Sequence, residues 1–307
     1  AVEDGRIVRE EIARQTPAGM LGLAFNTRRQ IFADRRVRQA LILMFDFDWL
    51  NANLYHGLYQ RTQGYFDGSE LSAIARSANE GERKLLEPYS DALLADVLDG
   101  TWTLGANDGT GRDRRRMRAA LNLFNEAGYE LDGGALVFEA TGEPFAFEIM
   151  VAEQRQERYA LTYAKSLARI GISATVRQVD SVQYQTRRQT YDFDMVEHFW
   201  YASLSPGNEQ QFYWSNWSAG VEGTRNYMGA SEPGIDAMIE ALLAARGRDE
   251  FVTAVRALDR LLISGQYVIP LFHAPGQWVA YRSHLKHPDR HSIDGFKINT
   301  WWMEPSP

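Results

Sequence analysis

The segment that follows His198 combines aromatic rings with amide and hydroxyl side chains, a mixture typical of binding sites for small molecules. Eight of the 29 residues from Phe199 to Tyr227 are aromatic, whereas aromatic residues make up 12% of the whole chain. The rings follow neither a helical nor an alternating period, so regular burial in a core does not explain them. Flat rings can cover an apolar ligand group while nearby amides and hydroxyls satisfy its polar atoms. We therefore predict a ligand-binding surface, with rings that pin a long loop onto its own domain as the alternative.

Three acidic residues beside this segment suggest a different chemistry. Asp192 and Asp194 lie on one face of a predicted strand, and Glu197 lies at its end. A pair of carboxylates can perform general acid–base hydrolysis. The aspartates fall near the start of the strand, whereas open α/β sheets bind ligands beyond the carboxyl ends of their strands. A hydrolase is therefore the second hypothesis, next to charged strand ends that face solvent.

Three histidines near the C-terminus have a spacing that could gather a metal ion. His284, His287 and His291 are three and four residues apart, as on one face of a helix. Pro288 falls inside this span and interrupts a helix there. We therefore expect neither a metal site nor a cofactor.

The middle of the chain predicts the elements that would position these residues. Strands at 145–151, 173–179 and 193–199 alternate with helices at 153–169 and 182–189. Short joins between such elements imply parallel strands with right-handed crossovers. Asp34 and Asp46 are placed to cap two earlier helices, and Gly171 to end the helix at 153–169. The predicted fold class is α/β, with α+β as the alternative.

Composition narrows the classes of protein further. The 307 residues are 45% hydrophobic, include no cysteine and carry a formal net charge of −7. The lack of cysteine excludes disulfide scaffolds and thiol nucleophiles. The acidic balance argues against nucleic-acid binding, which needs a basic surface. The longest apolar run, Ala40–Phe45, is far shorter than the roughly 20 residues of a membrane-spanning helix.

Several motifs occur in the order seen in a family of transport proteins. They include Phe25-Asn26-Thr27-Arg28, the run from Phe32 to Leu41, Asp192-Phe193-Asp194-Met195, Asn226-Tyr227 and Tyr267-Val268-Ile269-Pro270. With these motifs the chain resembles the family 5 extracellular solute-binding proteins, which are the peptide-binding components of ABC importers. The runs from Phe45 to Asn51 and from Ser203 to Glu209 are most similar to the microcin C-type, or Yej-like, branch. The resemblance covers nearly the whole chain.

The resemblance implies a fold of two lobes that close on a ligand around a hinge, in the manner of type II periplasmic binding proteins. Residues 24–266 would form the second lobe, inserted between two crossing strands. Residues 1–23 and 267–307 would belong to the first lobe. The implied function is uptake of peptides, muropeptides or peptide antibiotics without catalysis. The implied location is the periplasm, and the implied partners are the ligand and an ABC permease in the inner membrane.

The resemblance also implies site residues. Peptide-binding members carry an acidic residue, which meets the ligand's α-ammonium group, where this chain has Ser203. A serine supplies a hydroxyl without charge, so a ligand whose amine is modified or anchored elsewhere is favoured. Asn26, where the lobes cross, is a hinge candidate, with a local turn cap as the alternative. The predicted ligand-contacting residues are Trp200, Tyr201, Ser203, Asn208, Trp214, Trp217, Asn226 and Tyr227.

The resemblance extends over the C-terminal half of family members only. We therefore expect a complementary N-terminal fragment of the same protein as a partner, or a dimer. Strands at 20–27 and 268–281 would then lack sheet partners and expose apolar surface. Leu271, Phe272, Trp301 and Trp302 are the residues expected on that surface.

Overall fold

The computed structural model describes residues 2–304 as an alternation of strands and helices. The strands, in chain order, are β1 (Ile7–Ile12), β2 (Met20–Phe25), β3 (Gln60–Arg61), β4 (Tyr129–Asp132), β5 (Ala135–Phe138), β6 (Ala146–Val151), β7 (Ser173–Gln178), β8 (Met195–Trp200), β9 (Val268–Pro270), β10 (Phe272–His273), β11 (Gln277–Arg282), β12 (Leu285–Lys286) and β13 (Trp302–Met303). The α-helices are α1 (Arg35–Leu43), α2 (Phe47–Leu54), α3 (Glu80–Leu86), α4 (Ala95–Asp99), α5 (Arg114–Glu126), α6 (Gln154–Ala168), α7 (Ser181–Gln189), α8 (Glu209–Trp214), α9 (Asn216–Ala219), α10 (Pro233–Ala244) and α11 (Arg248–Ser264). Short 3₁₀ segments lie at Gln30–Phe32, Glu87–Ala92 and Ile298–Thr300.

The largest sheet has five strands in the order β7-β6-β8-β2-β9. β6 runs parallel to both β7 and β8, and α6 and α7 form the connections. β2 is antiparallel to β8 on one side and to β9 on the other, so the sheet is mixed. The α/β class and the parallel unit predicted from residues 145–199 are confirmed.

Alternate residues of this sheet enter two separate apolar cores, one on each face. Leu23 and Phe25 of β2 pack in one core with residues of α1, α5 and α6. Met20 and Ala24 pack in the other core with residues of α10 and α11. Because helices cover both faces, the central strands are apolar at nearly every position.

Local sequence signals set the ends of several helices. Asp34 accepts a hydrogen bond from the Arg36 amide (2.8 Å) at the start of α1. Asp46 accepts one from the Trp49 amide (3.0 Å) at the start of α2. Such N-caps satisfy amides that have no partner inside the helix. After α6, Gly171 has a φ of 81°, a conformation that favours glycine, so the predicted helix end is confirmed as well.

The segments near the two ends of the chain pair with each other. β1 is antiparallel to β11, and β12 to β13. Leu271 and Phe272 are buried, and Trp301 packs its ring against Tyr281 with centroids 4.6 Å apart. Of the four residues expected on an exposed apolar surface, Trp302 is the one with half of its area exposed.

The expectation that strands at 20–27 and 268–281 lack sheet partners is therefore wrong. β2 lies between two partners, β9 pairs with β2, and β11 pairs with β1. The lobe boundaries at 23/24 and 266/267 stay a prediction, and Ala1 and residues 305–307 lie outside the described residues. Among residues 2–304, every helix is too short or too polar to span a lipid bilayer.

Two adjacent ionisable residues of α11 hold the loop after β3 and the helix α3 in place. Asp259 accepts hydrogen bonds from the amides of Tyr65 and Ala73, both at 2.9 Å. Arg260 donates from Nε to Glu82 Oε2 (2.7 Å), and neither side chain is more than 1% exposed. A buried ion pair of this kind depends on both partners, because either charge alone would remain without water.

We predict that Glu82→Gln lowers the free energy of unfolding by about 3–5 kcal/mol, because the Arg260 guanidinium stays buried without its counter-charge. The control is Glu80→Gln, which removes an exposed carboxylate from the same helix and should change stability by less than about 1 kcal/mol. Urea unfolding followed by circular dichroism measures both variants. Equal unfolding midpoints for the two variants would contradict the importance of the pair.

Candidate functional site

A cavity of about 830 Å³ lies at the edge of the five-stranded sheet where β8 ends. Four parts of the chain form most of its walls: the segment before β2, the end of β8 with the residues after it, the residues after β9, and the C-terminal segment. They contribute Thr16, Pro17 and Ala18; Phe199, Tyr201, Ser203 and Leu204; Phe272, His273 and Ala274; and Ile293, Asp294, Phe296 and Lys297. Tyr59 and, from α6, Arg155 also line the cavity. Its volume is in the range of pockets that hold small-molecule ligands.

The register of β2 brings these separate segments together. Met20 lies opposite Trp200 in β8, and Gly22 lies opposite Pro270 in β9. Because both neighbours run antiparallel to β2, the start of β2 lies beside the ends of both strands. The amide of Leu271 donates to the Leu21 carbonyl (2.9 Å), which directs the following residues toward the same edge.

Two of the predicted ligand-contacting residues, Tyr201 and Ser203, line this cavity. Tyr201 is 68% exposed, and its ring makes an edge contact with Phe199, which also lines the cavity and is 46% exposed. The cavity therefore has an aromatic wall next to a neutral hydroxyl. That these residues contact a ligand remains a prediction.

Four other candidates lie inside the core instead. Trp200 stacks on Trp214 with ring centroids 5.3 Å apart and donates from Nε1 to the Arg225 carbonyl (3.0 Å). Asn226 is fully buried, and Tyr227 is 4% exposed. The prediction of ligand contact is corrected for these four residues, because their side chains pin the loop onto its own core. For them, the alternative interpretation of the aromatic segment describes the structure.

The last two candidates are exposed but do not line the cavity. Trp217 is 57% exposed and packs edge-on against Phe212 with centroids 5.7 Å apart. Asn208 is exposed and precedes α8, where its carbonyl accepts a hydrogen bond from the Gln211 amide (3.1 Å). Part of the predicted segment therefore borders the cavity, and the alternation of side chains at the end of β8 decides which of its rings reach it.

A buried carboxylate holds one cationic wall of the cavity. Arg155 lines the cavity and donates to both oxygens of Glu197, at 2.7 and 3.0 Å. Glu197 also accepts hydrogen bonds from Gln156 Nε2 (2.9 Å) and the Tyr159 hydroxyl (2.6 Å). Burial opposes the charge of Arg155, but the hydrogen bonds and charge of Glu197 raise the pKa of the guanidinium above its usual value. Glu197 is thus fully engaged as an anchor for Arg155.

The other charged residues of the cavity are mostly basic. Arg14 and Lys297 line it, and Lys297 also pairs with Asp294 (2.7 Å). His273 contacts the Thr62 hydroxyl through Nδ1 (3.0 Å), and burial lowers its pKa, which favours the neutral imidazole. The cavity can therefore offer cationic groups to an anionic part of a ligand.

The proposed hydrolytic aspartates lie outside the cavity. Asp192 and Asp194 both pair with Arg29, at 3.1 and 3.2 Å, and Asp194 also accepts a hydrogen bond from the Glu148 amide (2.9 Å). They precede β8, whereas the cavity lies where β8 ends. The structure does not bring Asp192, Asp194 and Glu197 together, and the geometric basis for the hydrolase hypothesis is lost.

Asn26 joins the end of β2 to the segment that enters β8. Its side-chain amide donates to the carbonyls of Tyr191 (2.9 Å) and Phe193 (2.8 Å). Its side-chain oxygen accepts a hydrogen bond from the Arg28 amide (3.3 Å), which is the capping role considered above. A hinge at Asn26 remains a prediction.

Next to the buried aromatic residues, His198 is held in its neutral form. Its Nδ1 accepts a hydrogen bond from the Arg188 guanidinium (2.7 Å), and its ring packs edge-on against Trp200 and Tyr227. Burial, followed by the charges of Arg188 and Arg225, lowers the pKa of His198 to about 2. Protonation of this ring is therefore strongly opposed in the folded state.

Several residues of the cavity carried no signal in the sequence. Arg14, Tyr59, Arg155, His273 and Lys297 come from five different parts of the chain, and no motif connects them. The position of Phe199 could have been predicted from the sequence, because successive side chains of a strand point to opposite faces and Phe199 therefore points away from Trp200. The others are brought together by sheet topology alone.

The chain is similar to one family of proteins, both by its family model and by its individual relatives. The model of the bacterial extracellular solute-binding proteins, family 5, matches residues 3–223. A putative binding protein of Brucella melitensis is 49% identical over 98% of this chain and 49% of its own length. The peptidoglycan-binding protein YepA of Agrobacterium fabrum is 44% identical, and the probable peptide-binding protein YejA of the same organism is 35% identical. Each of these two alignments covers 98% of this chain, with 49% of YepA and 50% of YejA.

The fold is also found among solved structures. The oligopeptide-binding protein AppA from Bacillus subtilis, in complex with a nonapeptide, superposes with a TM-score of 0.66 at 18% identity. The superposition covers 97% of this chain and 52% of AppA. At this identity the likeness shows the fold alone. The chain spans about half the length of the curated relatives that it matches.

We predict that His198 makes the stability of the protein depend on pH. The folded pKa is about 2 and the ordinary value is 6.5, so stability is complete above pH 6.5 and falls as pH drops below it. Between pH 7 and pH 5, the wild type should lose about 2 kcal/mol more than His198→Gln, whose side-chain oxygen can still accept from Arg188. Urea unfolding at both pH values measures this, and identical losses would contradict the neutral state of His198.

Proposed function

The chain belongs to the bacterial extracellular solute-binding proteins of family 5, and we propose that its cavity binds a peptide or peptide-derived ligand for an ABC importer. The observation that carries the proposal is the cavity of about 830 Å³ between the sheet edge and the C-terminal segment. Two relatives are named as binding proteins for peptidoglycan and for peptides, which supports a ligand of this class.

The chemistry of the walls suits a peptide-like molecule. Phe199 and Tyr201 offer ring surface for an apolar side chain, and Ser203 offers a hydroxyl for a ligand amide. Arg14 and Arg155 favour an anionic group on the ligand. Within residues 2–304, Asp294 is the one acidic residue that lines the cavity, and its carboxylate is paired with Lys297 rather than left for a ligand ammonium. A murein peptide, which carries extra carboxylates, fits this charge pattern better than a basic peptide.

We also propose that the protein has no catalytic activity. Glu197, the hydrolytic candidate nearest to the cavity, is committed to Arg155, Gln156 and Tyr159. Ligand binding would instead shift an equilibrium between open and closed forms, and an inner-membrane ABC permease would recognise the closed form. These events would take place in the periplasm.

A complementary N-terminal polypeptide of the same protein is proposed to cover the cavity. Relatives are about twice as long as this chain, and exposed aromatic rings surround the cavity and the terminal strands. Tyr201, Trp278 and Trp302 are 68%, 47% and 50% exposed. Apolar surface of this kind is commonly covered by a partner.

We predict that Tyr201→Ala weakens binding of a murein tripeptide about 10-fold, because the ligand loses a ring from the cavity wall. Trp217→Ala is the matched control, since it removes an exposed ring from the same segment outside the cavity, and it should leave the affinity unchanged. Isothermal titration calorimetry with the murein tripeptide and with a pool of tripeptides to pentapeptides measures both variants.

Two results would contradict the proposed site. One is weaker binding in Trp217→Ala with unchanged binding in Tyr201→Ala, which would place the ligand elsewhere. The other is a lack of binding of every peptide tested to the purified protein together with any polypeptide that co-purifies with it.

The expected partner gives a separate prediction. In light scattering, the purified protein should be larger than the 34.9 kDa of one chain, and a denaturing gel should show a second polypeptide or the mass should fit a dimer. A monodisperse monomer without a second polypeptide would overturn the proposed partner and leave the ligand test unaffected.

A further inference from the structure

Three potential metal ligands converge outside the cavity, where the first strand meets the C-terminal segment. Glu10 lies on β1, and His287 and His291 follow β12. His287 Nε2 is 2.9 Å from Glu10 Oε2, and His291 Nε2 is 3.5 Å from Glu10 Oε1. One ligand atom from each residue lies within 4.8 Å of the others, and all three side chains are partly buried. The break at Pro288 removes the helix but does not keep the two imidazoles apart.

The hydrogen bonds of His287 fix which nitrogen faces Glu10. Its Nδ1 lies 3.0 Å from the Pro288 carbonyl, and since a carbonyl oxygen can only accept, Nδ1 must carry the hydrogen. In the neutral ring, Nε2 then carries no hydrogen, and its lone pair is directed at the Glu10 carboxylate. A backbone carbonyl that orients a histidine in this way is a common outer contact of metal-bound imidazoles.

The neighbouring phenol cannot satisfy both acceptors. Tyr281 Oη is 2.9 Å from Glu10 Oε2 and 3.0 Å from His287 Nε2, but it has one hydrogen to donate. One of the two acceptors therefore faces the other without a hydrogen between them. A metal ion bound between the two acceptors would remove the conflict.

The second imidazole supplies a further nitrogen donor beside Glu10. The ring centroids of His287 and His291 are 4.8 Å apart, so the two imidazoles can share one cation. In a tetrahedral Zn²⁺ site with bonds of about 2.0–2.1 Å, neighbouring ligand atoms are about 3.3 Å apart. The two histidines approach different oxygens of Glu10, His287 at 2.9 Å from Oε2 and His291 at 3.5 Å from Oε1, and the ligand atoms of the three residues lie within 4.8 Å of one another.

We infer that Glu10, His287 and His291 bind a divalent transition-metal ion, for which Zn²⁺ is the best match to two imidazoles and one carboxylate. Tyr281 and the Pro288 carbonyl orient the ligands from outside. The ion would join β1 to the C-terminal segment, whose residues Ile293 and Phe296 form part of the cavity wall. The site is independent of what the cavity binds.

The test uses the full chain, free of any affinity tag and stripped of metal with a chelator. Calorimetric titration with ZnCl₂ should show one site with a micromolar or lower dissociation constant, and CoCl₂ should give the visible absorption of a low-symmetry Co²⁺ site. His291→Ala and Glu10→Gln should each weaken Zn²⁺ binding by more than the roughly 10–100-fold that loss of an outer contact costs. His284→Ala is the matched control, because His284 is exposed in the same segment and lies outside the cluster.

Thermal unfolding distinguishes loss of metal binding from a folding defect, because it shows whether each variant is folded without the metal. Zn²⁺ should raise the melting temperature of the wild type and of His284→Ala, but not that of His291→Ala, whose metal-free melting temperature should be close to the wild-type value. Absence of Zn²⁺ binding to the wild type at 100 μM would overturn the inference. Binding that persists unchanged in both His291→Ala and Glu10→Gln would overturn it as well.

Discussion

The antiparallel register of β2 between β8 and β9 is the constraint on which the cavity depends. Met20 lies opposite Trp200 and Gly22 lies opposite Pro270, so the first residues of β2 meet the last residues of two strands far away in the chain. A shift of one residue would exchange the two faces of β2 and move Leu23 and Phe25 out of their core. The same core packing that fixes the register therefore also fixes which loops border the cavity.

Because side chains alternate between the two faces of β8, neighbouring aromatic residues at its end have different environments. Trp200 is buried against Trp214, whereas Phe199 and Tyr201, which point the opposite way, line the cavity. The alternative interpretation, rings that hold the loop on its own domain, describes Trp200 and Trp214, whereas ligand contact by the rings that border the cavity stays a prediction. A composition count over the segment could not separate them, because it ignores the direction of each side chain.

Local features of the fold could be predicted from the sequence, and long-range ones could not. The caps at Asp34 and Asp46 and the parallel unit over 145–199 depend on neighbouring residues, and the structure confirms them. The pairing of β2 was missed because it joins residues about 170 positions apart, with no local pattern to mark it. The basic residues of the cavity were missed for the same reason. Sequence resemblance gave the family, but it also suggested unpaired strands that the sheet in fact pairs.

The carboxylates in and beside the cavity wall form ion pairs within the protein, and this determines which charges the wall presents to a ligand. Glu197 is buried and does not line the cavity. Its oxygens accept hydrogen bonds from Arg155, Gln156 and Tyr159, and Arg155, which does line the cavity, presents a fixed guanidinium there. Asp294 is likewise paired with Lys297. With Ser203 where peptide-binding relatives are expected to have an acid, negative charge that could hold a ligand ammonium is absent from the described wall. Selectivity would then come from ring surface and cationic groups, which favours a ligand whose own charge is negative.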